Sequence, residues 1–91
     1  MREKMVSGQV TVMTENGLHL SPISQLVRLA TAYSSSIELS FEGRTASAKS
    51  AFDLMLLAAP HGAVLDIQVQ GADAEAAAGA VTGLFEAGFG E

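Results

Sequence analysis

The sequence contains no cysteine. That excludes disulfides and thiol chemistry, and it leaves two histidines and ten acidic side chains as the usual metal ligands. The absence also fits a reducing compartment. Positive charge is scarce. Five Lys and Arg stand against ten Asp and Glu, a net charge of -5, and the basic residues do not cluster. Binding to a phosphate backbone needs such a cluster, so nucleic acid is not expected as a partner, and the same argument disfavours anionic membrane surfaces. Long apolar runs are missing too. The longest strongly apolar stretch, Leu54 to Pro60, is far too short to span a bilayer. The opening MREKMVSGQV carries charges with no apolar run behind them, so a signal peptide is not expected and a soluble cytoplasmic monomer is. No H-x-H or H-E-x-x-H spacing supports a metal site, and no G-x-x-x-x-G-K-[ST] loop or G-x-S-x-G elbow supports an NTPase or a hydrolase. Neither a metal nor a cofactor is expected.

What is present suits one compact fold. Hydrophobic residues make up 48% of 91, enough for one core and too few for two, so residues 1–91 read as a single domain. Val10 and Val12 alternate with Gln9 and Thr11 in a strand over Gln9 to Thr14. Ile37, Leu39 and Phe41 alternate with Glu38, Ser40 and Glu42, and after a turn at Gly43 a short edge strand runs back over Arg44 to Ser47. Leu65, Ile67 and Val69 alternate with Asp66, Gln68 and Gln70. Helical spacing appears three times. Ile23, Leu26, Val27 and Ala30 stripe Pro22 to Tyr33. Ser50-Ala51-Phe52-Asp53 is a capping pattern opening Ser50 to Ala58, which Pro60 and Gly62 bound. Asp73 is placed to cap an Ala-rich helix to Ala87, with Ala77, Val81, Leu84 and Phe85 on its core edge. Gly79 and Gly83 weaken that helix, each by about 1 kcal/mol relative to Ala. The order β-α-β-β-α-β-α, with polar residues alternating along every clear strand, predicts an α+β fold. It is a two-layer open-faced sandwich whose four-stranded, mostly antiparallel sheet carries three helices on one face.

Three spaced motifs then stand out: Gly17-Leu18-His19 followed by Pro22, Ala48-Lys49-Ser50 followed by Leu54-Met55, and Gly71-Ala72-Asp73. In this order and spacing the chain resembles HPr, the histidine-containing phosphocarrier family of the bacterial phosphoenolpyruvate-dependent sugar phosphotransferase system. The resemblance covers nearly the whole chain. It implies that His19 accepts a phosphoryl group on Nδ1 from phosphorylated Enzyme I and passes it to a IIA component. Such a protein relays a group and turns over no small molecule alone. Backbone N–H groups at a helix entrance stabilise an added phosphate, and here the amides of Leu20 and Ser21 would serve. Pro22, lacking an N–H, is tolerated in a first turn.

The chain departs from the family pattern G-L-H-A-R-P, having G-L-H-L-S-P instead. Ser21 stands where an arginine would supply a fixed charge and charge-assisted hydrogen bonds. Ser21-Pro22 alone also reads as a helix cap followed by a first helical residue, whereas the resemblance puts His19 at the cap. Arg28 lies two helical turns on and is a candidate partner contact. Without the resemblance, His19 is most simply a solvated loop residue and Ser50 an ordinary cap. With it, Ser50 matches a serine phosphorylated in some bacteria by HPr kinase/phosphorylase. The short helix is too apolar to bury its whole circumference. Leu54, Leu57 and Ala58 are expected to face the sheet, leaving Phe52 and Met55 exposed as a docking face. Two functional readings follow: a phosphocarrier acting through His19, or a regulatory relative with weakened phosphotransfer. The second would act by binding partners such as the kinase or a transcription regulator, switched at Ser50.

Overall fold

A computed structural model describes residues 4–91. Four strands, β1 (Lys4–Thr11), β2 (Ser36–Phe41), β3 (Arg44–Ser47) and β4 (Val64–Gly71), are interleaved with three helices. These are α1 (Leu20–Thr31), α2 (Ala51–Leu57) and α3 (Ala74–Glu86), and a 3-10 turn at Gly88–Gly90 follows α3. The sheet order is β1-β4-β2-β3, and all three strand pairings are antiparallel.

The register explains the layering. Leu65 faces Val10 across β1, while Ile67 and Val69 face Leu39 and Ile37 across β2, so the apolar members of each alternation share one side. The other side presents Gln9, Glu38, Asp66 and Gln68 to solvent, with Gln9 Nε2 donating to Asp66 Oδ1 over 3.1 Å. Helices cover only the apolar side. Ile23 and Leu26 of α1, Leu54 and Leu57 of α2, and Val81 and Phe85 of α3 are all buried there. Side chains of this kind each contribute about 1.5–3 kcal/mol on burial.

Several element boundaries differ from the sequence expectation for physical reasons. β1 begins at Lys4, well before Gln9, because it pairs with β4 along its full length. As an edge strand it buries little besides Val10, so its first half shows no apolar alternation to read. α1 starts at Leu20, not Pro22. α2 stops at Leu57, and the expected burial of Ala58 is not observed. Ala58 is the C-cap in the left-handed conformation (φ 51°), is exposed, and passes the buried position to Ala59. Asp73 does stand at the N-cap of α3, but its side chain makes no bond to its own helix. It accepts instead from the Ser34 and Ser35 amides, at 3.0 and 2.9 Å, and from the Ser35 hydroxyl. Gly79 and Gly83 are solvent-facing, and α3 runs through both to Glu86.

Candidate phosphoryl-acceptor site

The loop before α1 is built around Gly17. Its N–H donates to the Thr14 carbonyl over 3.0 Å, and the buried Thr14 hydroxyl returns a bond to the Gly17 carbonyl. Gly17 has φ +72°, and a Cβ there would lie 2.6 Å from the Ala59 carbonyl oxygen and 3.0 Å from Pro60 Cα. Only glycine lets the loop approach this closely. The next residue completes the junction, with Leu18 N–H donating to the Ala59 carbonyl over 2.9 Å. The loop carrying the histidine is thereby clamped to the segment that leaves α2, and Leu18 is buried beneath it.

His19 is the N-cap of α1, with extended backbone (φ -90°, ψ -172°), and its carbonyl accepts the Ile23 N–H at 3.0 Å to close the first turn. Of the two capping alternatives, the structure has the histidine. Ser21 is the second helical residue and Pro22 the third. The first-turn amides at Leu20 and Ser21 precede any residue that an intrahelical acceptor can serve, and Pro22 contributes none. The positive end of the α1 dipole therefore offers two N–H groups beside the ring. His19 does not use its side chain to cap the helix. Its ring is 36% exposed, and Nε2 lies 3.3 and 3.5 Å from the two carboxylate oxygens of Glu91.

No described basic residue makes an ion pair or hydrogen bond with this ring or its loop. Lys49, the central residue of the Ala48-Lys49-Ser50 motif, donates from its Nζ to the Tyr33 carbonyl over 2.8 Å, tying the link between β3 and α2 to the exit of α1. Arg28 lies in the last turns of α1, where it borders a groove of about 390 Å³ with Gln25, Leu29, Ala32 and Leu84. At 1.5 Å rise per residue it is about 10 Å along the helix from Ser21, and Leu84 of α3 lines the same groove. The other expected docking residues are on α2. Those residues are exposed as expected: Phe52 at 65%, Met55 at 51%, with Leu56 beside them, and Leu20 at 70% at the start of α1. Ser50 is the N-cap of α2, its hydroxyl accepting the Asp53 N–H at 3.2 Å. Among the described residues no three His, Asp or Glu side chains come together to hold a metal.

Asp73, from the third motif, stands at the N-terminal end of α3, whereas His19 meets Glu91 beyond the C-terminal end of that helix. Chiefly the Ser35 hydroxyl, then the Ser34 amide, hold its carboxyl down from 3.8 to about 2. Gly71 makes this junction with φ +151°, since a Cβ would meet Ser35 Cα at 2.7 Å. The motif is a structural clasp.

A helix entrance with an exposed histidine at its cap, on an open-faced sandwich of this strand order, invites comparison with known proteins. The family model for the PTS HPr component phosphorylation site matches residues 6–87. The chain belongs to the HPr family. It is 42% identical over 73 residues to the phosphocarrier protein HPr of Haemophilus influenzae, an alignment covering 80% of this chain and 86% of that one. Against the phosphocarrier protein HPr of Xylella fastidiosa it is 37% identical over 87 residues, covering 96% and 98%. A crystal structure of HPr-C-His from Thermoanaerobacter tengcongensis superposes with a TM-score of 0.91 at 30% identity, covering 94% of this chain and 97% of that one. Partners in the phosphotransferase system follow for the HPr family in general.

Sequence reasoning missed two contacts of this site. Glu91 is 72 residues from His19 and no local pattern announces it. The Ala59 carbonyl that clamps the loop belongs to a residue whose side chain says nothing of its backbone role.

Proposed function

We propose that this protein is a phosphocarrier that takes a phosphoryl group from phosphorylated Enzyme I on His19 and hands it to a IIA component. The observation that carries the reading is the placement of His19 at the α1 N-cap, with the Leu20 and Ser21 amides unserved by the helix and the ring at the surface. The exposed Leu20, Phe52, Met55 and Leu56 supply an apolar face on which partner proteins would dock. Among the described residues no helix is long and apolar enough to cross a membrane. A cytoplasmic relay between proteins fits that. The test is incubation with Enzyme I and phosphoenolpyruvate, followed by detection of acid-labile phosphate. Wild type takes label and His19→Ala takes none. An unlabelled wild type, beside an ordinary HPr that is labelled, overturns the reading.

One observation favours a second reading. With Ser21 in the arginine position, Lys49 committed to Tyr33 and Arg28 about 10 Å along α1 from Ser21, phosphate at His19 would meet amides and a dipole but no fixed cation. A regulatory relative, binding partners and switched by a kinase at Ser50, is what a weakened pocket would leave. Ser50 is reachable, since it is only half-buried, and a phosphate there would sit at the entrance of α2 beside Phe52.

A further inference from the structure

The segment after α3 is an anchored device that delivers a carboxylate to the histidine. Gly88, Phe89 and Gly90 take successive φ values of 61°, 55° and 76°. Three residues in a row have positive φ, and one of them is not glycine, an arrangement that costs free energy unless something holds it. Phe89 holds it. Its ring is buried at 3% exposure and packs edge-on against Phe85, with centroids 4.9 Å apart. The Gly90 and Glu91 amides then bond back to the Ala87 and Gly88 carbonyls at 3.1 and 3.0 Å. Glu91 is thereby fixed where both its carboxylate oxygens face His19 Nε2.

Resting on the phosphoryl-acceptor reading of His19, we propose that Glu91 is a positioning residue that holds the ring proton on Nε2 and so leaves Nδ1 as the phosphoryl acceptor. A carboxylate can only accept a hydrogen bond, so the ring nitrogen facing it must carry the proton. The other nitrogen then has the free lone pair. In the transfer, the Nδ1 lone pair attacks phosphorus while the P–N bond of a phosphohistidine donor breaks and its electrons return to the donor ring. No proton has to move, because Nε2–H stays against Glu91 throughout. The phosphorylated ring is then an imidazolium, which departs as neutral imidazole when the group is passed on. Glu91 stabilises that imidazolium from the ring edge opposite the phosphate, as a buried carboxylate does for the histidine of a Ser-His-Asp triad. Because it acts from that edge, a negative residue is tolerated at a site that must also hold a dianion.

The test compares wild type with Glu91→Ala and Glu91→Gln, using two readouts that do not involve Enzyme I. In alkaline solution, long-range 1H–15N correlations of the His19 ring report the ratio of Nε2–H to Nδ1–H tautomers. Wild type should exceed Glu91→Ala by about threefold, the bias expected of a half-exposed contact, and Glu91→Gln should fall between them. Each protein is then labelled with phosphoramidate, whose P–N bond breaks to release ammonia, and the phosphohistidine isomer is read by 31P NMR. The Nδ1 share should fall in Glu91→Ala. Equal tautomer ratios, equal isomer shares, or a wild type that takes no label on Nδ1 each overturn the proposal. Failure of Enzyme I to label the protein would count against the relay alone.

Discussion

Leu18 and Ala59 are joined by a single backbone hydrogen bond of 2.9 Å, and it connects the histidine loop to the exit of α2. Through it the loop carrying His19 and the helix carrying the exposed Phe52 and Met55 are joined directly. Gly17 beside it packs on Ala59 and Pro60. The histidine loop and the exit of α2, about forty residues apart in sequence, are thus joined through backbone contacts.

The first prediction concerns that junction. Gly17→Ala forces a Cβ against the Ala59 carbonyl at a residue with positive φ. Left-handed strain and the required displacement together are expected to cost about 2 kcal/mol or more, read as a lower midpoint in urea. Because Leu18 and His19 must move with the loop, the initial rate of phosphorylation by Enzyme I should fall as well. A variant with wild-type stability would show that the loop is not clamped.

Asp73 makes a prediction in pH. Its carboxyl is depressed to about 2 in the folded protein from an ordinary 3.8, chiefly by the Ser35 hydroxyl. A depressed acid contributes stability above the unfolded-state value and loses it as pH falls through the folded one. Wild type should therefore lose this contribution between about pH 4 and pH 2. Asp73→Asn should be less stable at neutral pH and should converge with wild type across that window, as followed by denaturation at several pH values. Parallel curves would remove the Ser35 bond as the cause.

How legible these features were depends on where the information resides. The alternations in β2 and β4 were readable because one sheet face is buried and the other is wet. β1 was half-hidden because it is an edge strand whose outer residues answer to solvent. The helix entrance at His19 was open to two readings locally, since Ser21-Pro22 is also a good cap signal. Family spacing chose between them, and the structure agrees. Glu91 was illegible in principle. Its contact depends on three residues of positive φ and a buried phenylalanine, none of which refers to residue 19.

Phe52 separates docking from packing. At 65% exposure it contributes little to the core, so Phe52→Ala should change folding stability by no more than about 0.5 kcal/mol. Enzyme I affinity, measured by calorimetry, should drop by tenfold or more if this residue is an anchor of the docking face, the scale of a central contact. Destabilisation by several kcal/mol with binding intact would reverse the assignment and make Phe52 a packing residue.

Ser50 tests the cap against the switch. Ser50→Ala removes the acceptor of the Asp53 amide and should cost about 1 kcal/mol. Ser50→Asp retains a capping oxygen and favours the helix dipole, so stability should stay near wild type. The added charge beside Phe52 should still weaken partner binding. If Ser50→Asp binds partners as wild type does, charge at this position does not control docking.

The last prediction addresses the missing cation. Ser21 is exposed in the first turn of α1, and an arginine there would place a guanidinium at the helix end that already offers the Leu20 and Ser21 amides. A charge-assisted hydrogen bond contributes about 1.5–3 kcal/mol, against about 1 for a neutral one. A gain of roughly 1 kcal/mol in the phosphorylated state corresponds to about a fivefold rise in the phospho-form at equilibrium. Ser21→Arg should therefore shift the phosphoryl equilibrium with Enzyme I toward this protein, measured by quench-flow with labelled phosphoenolpyruvate. Leu20→Ala is the control, since it restores the small residue of the family pattern without adding charge. If Leu20→Ala reproduces the gain and Ser21→Arg does not, bulk beside the ring rather than absent charge limits this site.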